Sequence, residues 1–159
     1  MPLTISALSR LRHQHQTIRE LTGGLNDERI RRRPDPEKWG IFENVAHLAC
    51  YHGVFHLRLE RIATEESPVF GRYVAEADPD FPGYLQRPAT ALLDHIDTRR
   101  SALLIQLEGM TENHLRRTAL HPQFGLLDVV QWTEFFLLHE AHHLYTIFRL
   151  VRQPDLNRG

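Results

Sequence analysis

The stretch LLHEAHHLYTIFRL, Leu137–Leu150, sets three histidines close together in a segment otherwise written like the buried face of a helix. At about 100° per residue, Trp132, Phe136, His139, His143 and Leu150 fall within a sector roughly 60° wide, with His142 toward its edge. His139 and His143 therefore point inward and His142 does not. Histidines at i and i+4 carry Cβ atoms about 6 Å apart, so both imidazoles can reach one metal ion at roughly 2.1 Å. Two uncompensated imidazoles at the centre of an apolar stripe would cost roughly several kcal/mol, which a bound ion turns into a gain. The plainer readings are a surface pair, or core histidines satisfied by neighbouring carbonyls. Two ligands bind weakly, so a metal site needs a third from a facing helix.

Working outward, the rest of the chain reads as helices with no convincing strand. Leu8, Leu11, Ile18, Leu21 and Leu25 mark helix one from Ser6, with His15 at a position the stripe would give to an apolar residue; Gly23 and Gly24 end it. RRRPDPEKW, Arg31–Trp39, is a rigid connector, because Pro34 and Pro36 remove amide donors and disfavour helix before them. Helix two runs from near Gly40 to about Thr64 on the stripe Leu48, Tyr51, Phe55, Leu59 and Ile62, with His47 on its shoulder. Glu43 lies three residues after the N-cap, where a carboxylate faces free amides and the positive end of the dipole.

From Ser67 to Pro88 four prolines and two glycines mark a long connection. Helix three spans Ala89 to Leu107, EGMTENHL closes it, and HPQFG, His121–Gly125, turns into helix four, Leu126 to about Val151. The expectation is an all-α antiparallel four-helix bundle with one long crossover connection, a single domain over residues 1–159 with 152–159 as a frayed tail.

Composition narrows the setting. The 159 residues are 42% hydrophobic and 25% charged, enough for one sizeable core. A formal net charge of −1 with interspersed signs offers no basic face for nucleic acid. One cysteine excludes an internal disulfide framework, the first residues lack the apolar core of a signal peptide, and no apolar run reaches the length of a membrane span. A soluble, cytoplasmic protein is expected. Histidine, at 11 residues, is the compositional outlier.

His47 is the best-placed third ligand, with a packed core histidine as its alternative. His52 and His56 form another i, i+4 pair, read as solvated or interfacial because it points toward the edge of the helix-two stripe. His13 reads as exposed. His15 is either a buried partner near the site or a packed histidine. Cys50 reads as a packed or interface thiol rather than a soft ligand, and His121 as a turn and cap residue whose loop borders the cavity.

DPEKWGIFENVAHL, Asp35–Leu48, and HPQFGLLDVVQWTEFFLLHEAHHLYTIFRL, His121–Leu150, together resemble the DinB/YfiT-like superfamily. In its pattern a tryptophan and a capping serine precede a glutamate and then a histidine followed by leucine, and an HP-x-FG turn leads into a helix bearing H-x-x-x-H. Gly40 stands where serine is usual and Asn44 where an apolar residue is usual; neither is a ligand position. The resemblance implies a four-helix bundle binding a divalent metal, zinc or nickel, through His47, His139 and His143, often as a homodimer. It also implies a stress-related setting, since some members are DNA-damage-inducible, and activities that include thiol S-transfer and metal-dependent hydrolysis.

Three neutral imidazoles leave a metal its double charge and an open position, suited to lowering the pKa of water to about 7 or holding a thiol as thiolate. The first hypothesis is a metal-dependent enzyme, a thiol S-transferase or hydrolase, acting on a small molecule. Glu43 is then an outer group orienting a ligand, or simply a carboxylate at the helix N-terminus. The rival is a non-catalytic metal-binding or ligand-binding protein in which the ion is structural.

Overall fold

The computed structural model describes residues 2–153. Its helices are α1 (Ile5–His13), α2 (Gln16–Thr22), α3 (Asp27–Arg31), α4 (Ile41–Thr64), α5 (Phe81–Leu85), α6 (Ala89–Glu108), α7 (Glu112–Leu115) and α8 (Val129–Arg152), with strands β1 (Thr118–His121) and β2 (Gly125–Asp128). The α1–α2 pair, α4, α6 and α8 form a four-helix bundle, and α4 packs on both α6 and α8. Every residue of α4 from Ile41 to His52 is buried, so its first three turns are enclosed on all sides. The expected crossover joins α4 to α6 and carries a 3-10 turn, Ala75–Ala77, as well as α5. Among the described residues no helix is long and apolar enough to cross a membrane. Of the expected frayed tail, Arg152 ends α8, Gln153 follows as its C-cap, and residues 154–159 lie outside the described residues.

Three expectations are corrected. Helix one is two helices: at Gln14 and His15 the ladder tightens to i→i+3 bonds, Thr17 N to Gln14 O at 3.2 Å and Ile18 N to His15 O at 3.1 Å. The Gln14 side chain turns into the bundle there, donating to Leu137 O and to Glu140 Oε2. Second, the HPQFG region is not a bare turn into a helix. Thr118–His121 pairs antiparallel with Gly125–Asp128, and Gly125 takes the positive φ of 75° that the turn needs. Strands this short show no period, and the apolar residues of β2 run straight into those of α8. Helix four consequently starts at Val129, where Asp128 and Gln131 form a reciprocal capping box. Third, two unexpected short helices form: α3 ahead of the connector, and α7 within EGMTENHL, a segment expected only to close helix three.

The departure at Gly40 has a steric cause. A Cβ at this position would stand 2.6 Å from the Arg32 carbonyl oxygen, so the connector and the start of α4 approach too closely for serine. Glu43 supplies half of the usual cap, its Oε2 accepting from Gly40 N at 2.9 Å.

Candidate metal centre

The buried first three turns of α4 meet the inner face of α8, and His47 faces His139 and His143 across that seam. Nε2 of His47 lies 3.1 Å from Nε2 of His139, which lies 3.2 Å from Nε2 of His143. The ligand atoms of all three fall within 4.8 Å of one another. Nitrogens bound tetrahedrally to one ion at roughly 2.1 Å stand about 3.4 Å apart, so the spacing is close to that of a metal site.

The hydrogen-bond arithmetic agrees. Asn44 Nδ2 donates to Gly40 O at 2.7 Å, which fixes the amide orientation and turns Oδ1 toward His143 Nδ1, 2.8 Å away. His143 must therefore carry its proton on Nδ1 and present an Nε2 lone pair to the cluster. A single proton on His139 Nε2 cannot satisfy both of its neighbours, whereas a cation at the centre satisfies all three lone pairs. Nδ1 of His47 and of His139 is buried with no partner among the described residues.

Burial holds all three rings neutral. It pushes His47 down to about 4, and, with His47 and the neighbouring histidines adding repulsion, His139 to about 3 and His143 to about 2. Neutral imidazole is the form that binds metal. Among the described residues no other His, Cys, Asp or Glu joins the group.

Aromatic rings frame the cluster. Trp39 from the connector sits 5.1 Å from the His47 ring, and Tyr51 sits 4.2 Å from the His139 ring, centroid to centroid. A cleft of about 550 Å³ opens beside His47 and His139, bordered by Tyr51, Tyr73 and the His121–Phe124 turn. A second, of about 940 Å³, reaches Asn44 and His143 from the other side. A third, of about 690 Å³ and bordered by Cys50 and Asp78, touches none of the three histidines.

The remaining candidates fall elsewhere. Glu43 bonds to Gly40 N and to Arg33 Nε at 2.7 Å, and to none of the three imidazoles. Cys50 is packed, with its thiol pushed up to about 11 by burial. His121 Nδ1 accepts from the amides of Gln123 and Phe124, closing the turn that borders the cleft. His15 packs beside Asp97 and Arg100. His56 is half-buried, 3.3 Å from Glu60.

His52 corrects the expectation of a solvated pair: it is 1% exposed, with Nδ1–H to Leu48 O at 2.7 Å and Nε2 accepting from Arg100. Arg100 also pairs with Glu140, whose other oxygen accepts from Gln14. Each of the four bundle segments contributes one member to this buried network. The sequence carried a trace of it, because Arg100 interrupts the stripe Leu92, Ile96, Leu103, Leu107, but nothing there tied Arg100 to Glu140. Asn44 was visible only as an unusual residue; its contact to His143 depends on how α4 and α8 dock.

Residues 10–147 match the profile of the DinB superfamily. YuaE of Bacillus subtilis (strain 168), an uncharacterized protein, is 29% identical over 142 residues, covering 81% of this chain and 86% of that one. The fold is similar to that of YfiT from Bacillus subtilis, described as a probable metal-dependent hydrolase with an unusual four-helix bundle topology. The TM-score is 0.78 at 18% identity, over 92% of this chain and 85% of YfiT. With a profile match running through nearly the whole chain onto a YfiT-like bundle, this protein belongs to the DinB superfamily.

Proposed function

We propose that this protein is a metal-dependent hydrolase of small molecules, with His47, His139 and His143 holding a divalent ion, zinc or nickel. The observation that carries the reading is the convergence of three Nε2 atoms at the wall of an open cleft, with no fourth protein ligand among the described residues. A divalent ion held by His47, His139 and His143 would supply Lewis acidity and a more acidic bound water. The chain's own part is positional: Asn44 sets the tautomer and plane of His143, while Trp39 and Tyr51 hold the rings of His47 and His139 by packing. The resemblance to YfiT supports the same class.

Elemental analysis of untagged protein, wild type beside His143→Ala, tests the ion; thermal unfolding before and after chelation measures its contribution. About one metal per chain, lost in the variant, is expected. A screen of ester, amide and lactone substrates then tests hydrolysis. Transfer of a low-molecular-weight thiol, the other activity the family resemblance implies, would use the same ligands and is separated by including thiol acceptors in the screen. Metal-dependent stability without turnover would assign the ion a structural role stapling α4 to α8.

A further inference from the structure

Arg58 is the one buried Asp, Glu, Lys or Arg without an opposite charge at ion-pair distance among the described residues. Arg100 has Glu140 and Glu43 has Arg33, but Arg58, 8% exposed, has only neutral partners. Its Nη1 donates to the Tyr51 hydroxyl at 3.2 Å and its Nη2 to Gly71 O at 3.0 Å, and its guanidinium lies 5.3 and 5.4 Å from the Phe70 and Trp132 rings. These contacts offset part of the desolvation without supplying negative charge. Arg58 borders the cleft that holds His47 and His139, and so does exposed Arg72, which likewise has no carboxylate partner among the described residues. Among the described residues no Asp or Glu lines this cleft, and Tyr73, Phe124 and Phe135 make its walls aromatic. Tyr51 stands between Arg58 and the His139 ring, so the cationic end and the histidine end lie about one aromatic ring apart along the same cleft.

We infer that this cleft takes a small aromatic or apolar carboxylate, its anion against Arg58 and Arg72 and its reactive end at the three histidines. The guanidinium fork matches a carboxylate edge, and the anion would supply the charge Arg58 lacks. The inference names the substrate class of the hydrolase proposed above and rests on that reading for the reactive end.

The test is a titration of cobalt-substituted protein with 4-(mercaptomethyl)benzoate and with the corresponding benzamide, followed by the thiolate-to-cobalt charge-transfer band. The para geometry prevents thiol and carboxylate from reaching one ion together, so both probes make the same metal contact. The benzoate is expected to bind at least tenfold more tightly, and Arg58→Met or Arg72→Gln to reduce that preference toward parity while cobalt stoichiometry stays at wild type. Arg72 is exposed, so its variant keeps the fold if Arg58→Met does not. Equal affinities in the wild type, or a preference surviving Arg72→Gln, would overturn the inference. Cobalt stoichiometry reports the metal site separately. If no cobalt is taken up, calorimetry with 4-methylbenzoate against 4-methylbenzamide reads the anion subsite alone, with the same two criteria.

Discussion

Asn44 Oδ1 accepts a hydrogen bond from His143 Nδ1–H at 2.8 Å, while the same amide's Nδ2 donates to the Gly40 carbonyl one turn back. The first turn of α4 thereby decides which nitrogen of a histidine on α8 faces the cluster. Asn44→Leu keeps the branched shape and removes the acceptor. Metal affinity is expected to fall about 10- to 100-fold, as for other outer partners of ligating histidines, with stoichiometry retained at saturating metal. Competition with a chelator of known affinity measures it; unchanged affinity would remove Asn44 from the site.

The Arg100–Glu140 pair at the bundle centre is buried on both sides, and Gln14 and His52 complete its hydrogen bonds. Arg100→Met leaves a buried carboxylate without its cation and is expected to cost about 3–5 kcal/mol in urea unfolding. Arg100→Met with Glu140→Leu removes both charges and should recover at least half of that loss. A double variant as unstable as the single one would place the cost in packing rather than charge.

His15 is held down to about 4, first by burial and then by Arg100, against the opposing pull of Asp97. The sign follows from linkage. Above pH 6.5 the ring is neutral folded and unfolded, and its full contribution is present. Between about 6.5 and 4 the unfolded chain takes up a proton that the folded one refuses, so stability falls as pH falls, by up to about 1.4 kcal/mol per pH unit for the group. Urea midpoints of metal-free wild type and His15→Gln across this window are expected to converge toward acid pH, because only the wild type carries this term. Parallel profiles would show that His15 titrates normally.

Gly40→Ser restores the residue the superfamily pattern favours and supplies a cap that elsewhere is worth about a few tenths of a kcal/mol over glycine. Here its Cβ would meet the Arg32 carbonyl at 2.6 Å, contact with backbone that must shift. The variant is expected to lose about 1–2 kcal/mol despite the better cap, since overpacking costs about 1–3 kcal/mol. A thermal midpoint above wild type would show that the connector yields.

The sequence by itself determined the long helices, because their apolar stripes run through four or more turns with helical spacing, and it placed His139 and His143 on one inward face by the same geometry. Pairing them with His47 drew on the family resemblance, since spacing within one helix says nothing about which residue lies opposite on another. The β-hairpin went unread because four-residue strands carry no period distinct from the apolar start of α8. The break after α1 depends on the Gln14 side chain reaching α8, more than a hundred residues away. His52 reads as surface from its place at the stripe edge, and only the docking of α6 against α4 buries it under Arg100. Asn44 on His143, Arg100 on Glu140 and Arg58 without a counter-charge are likewise decided by tertiary structure. A local period records which face of a helix is buried, whereas partners and missing partners exist only once the helices are packed.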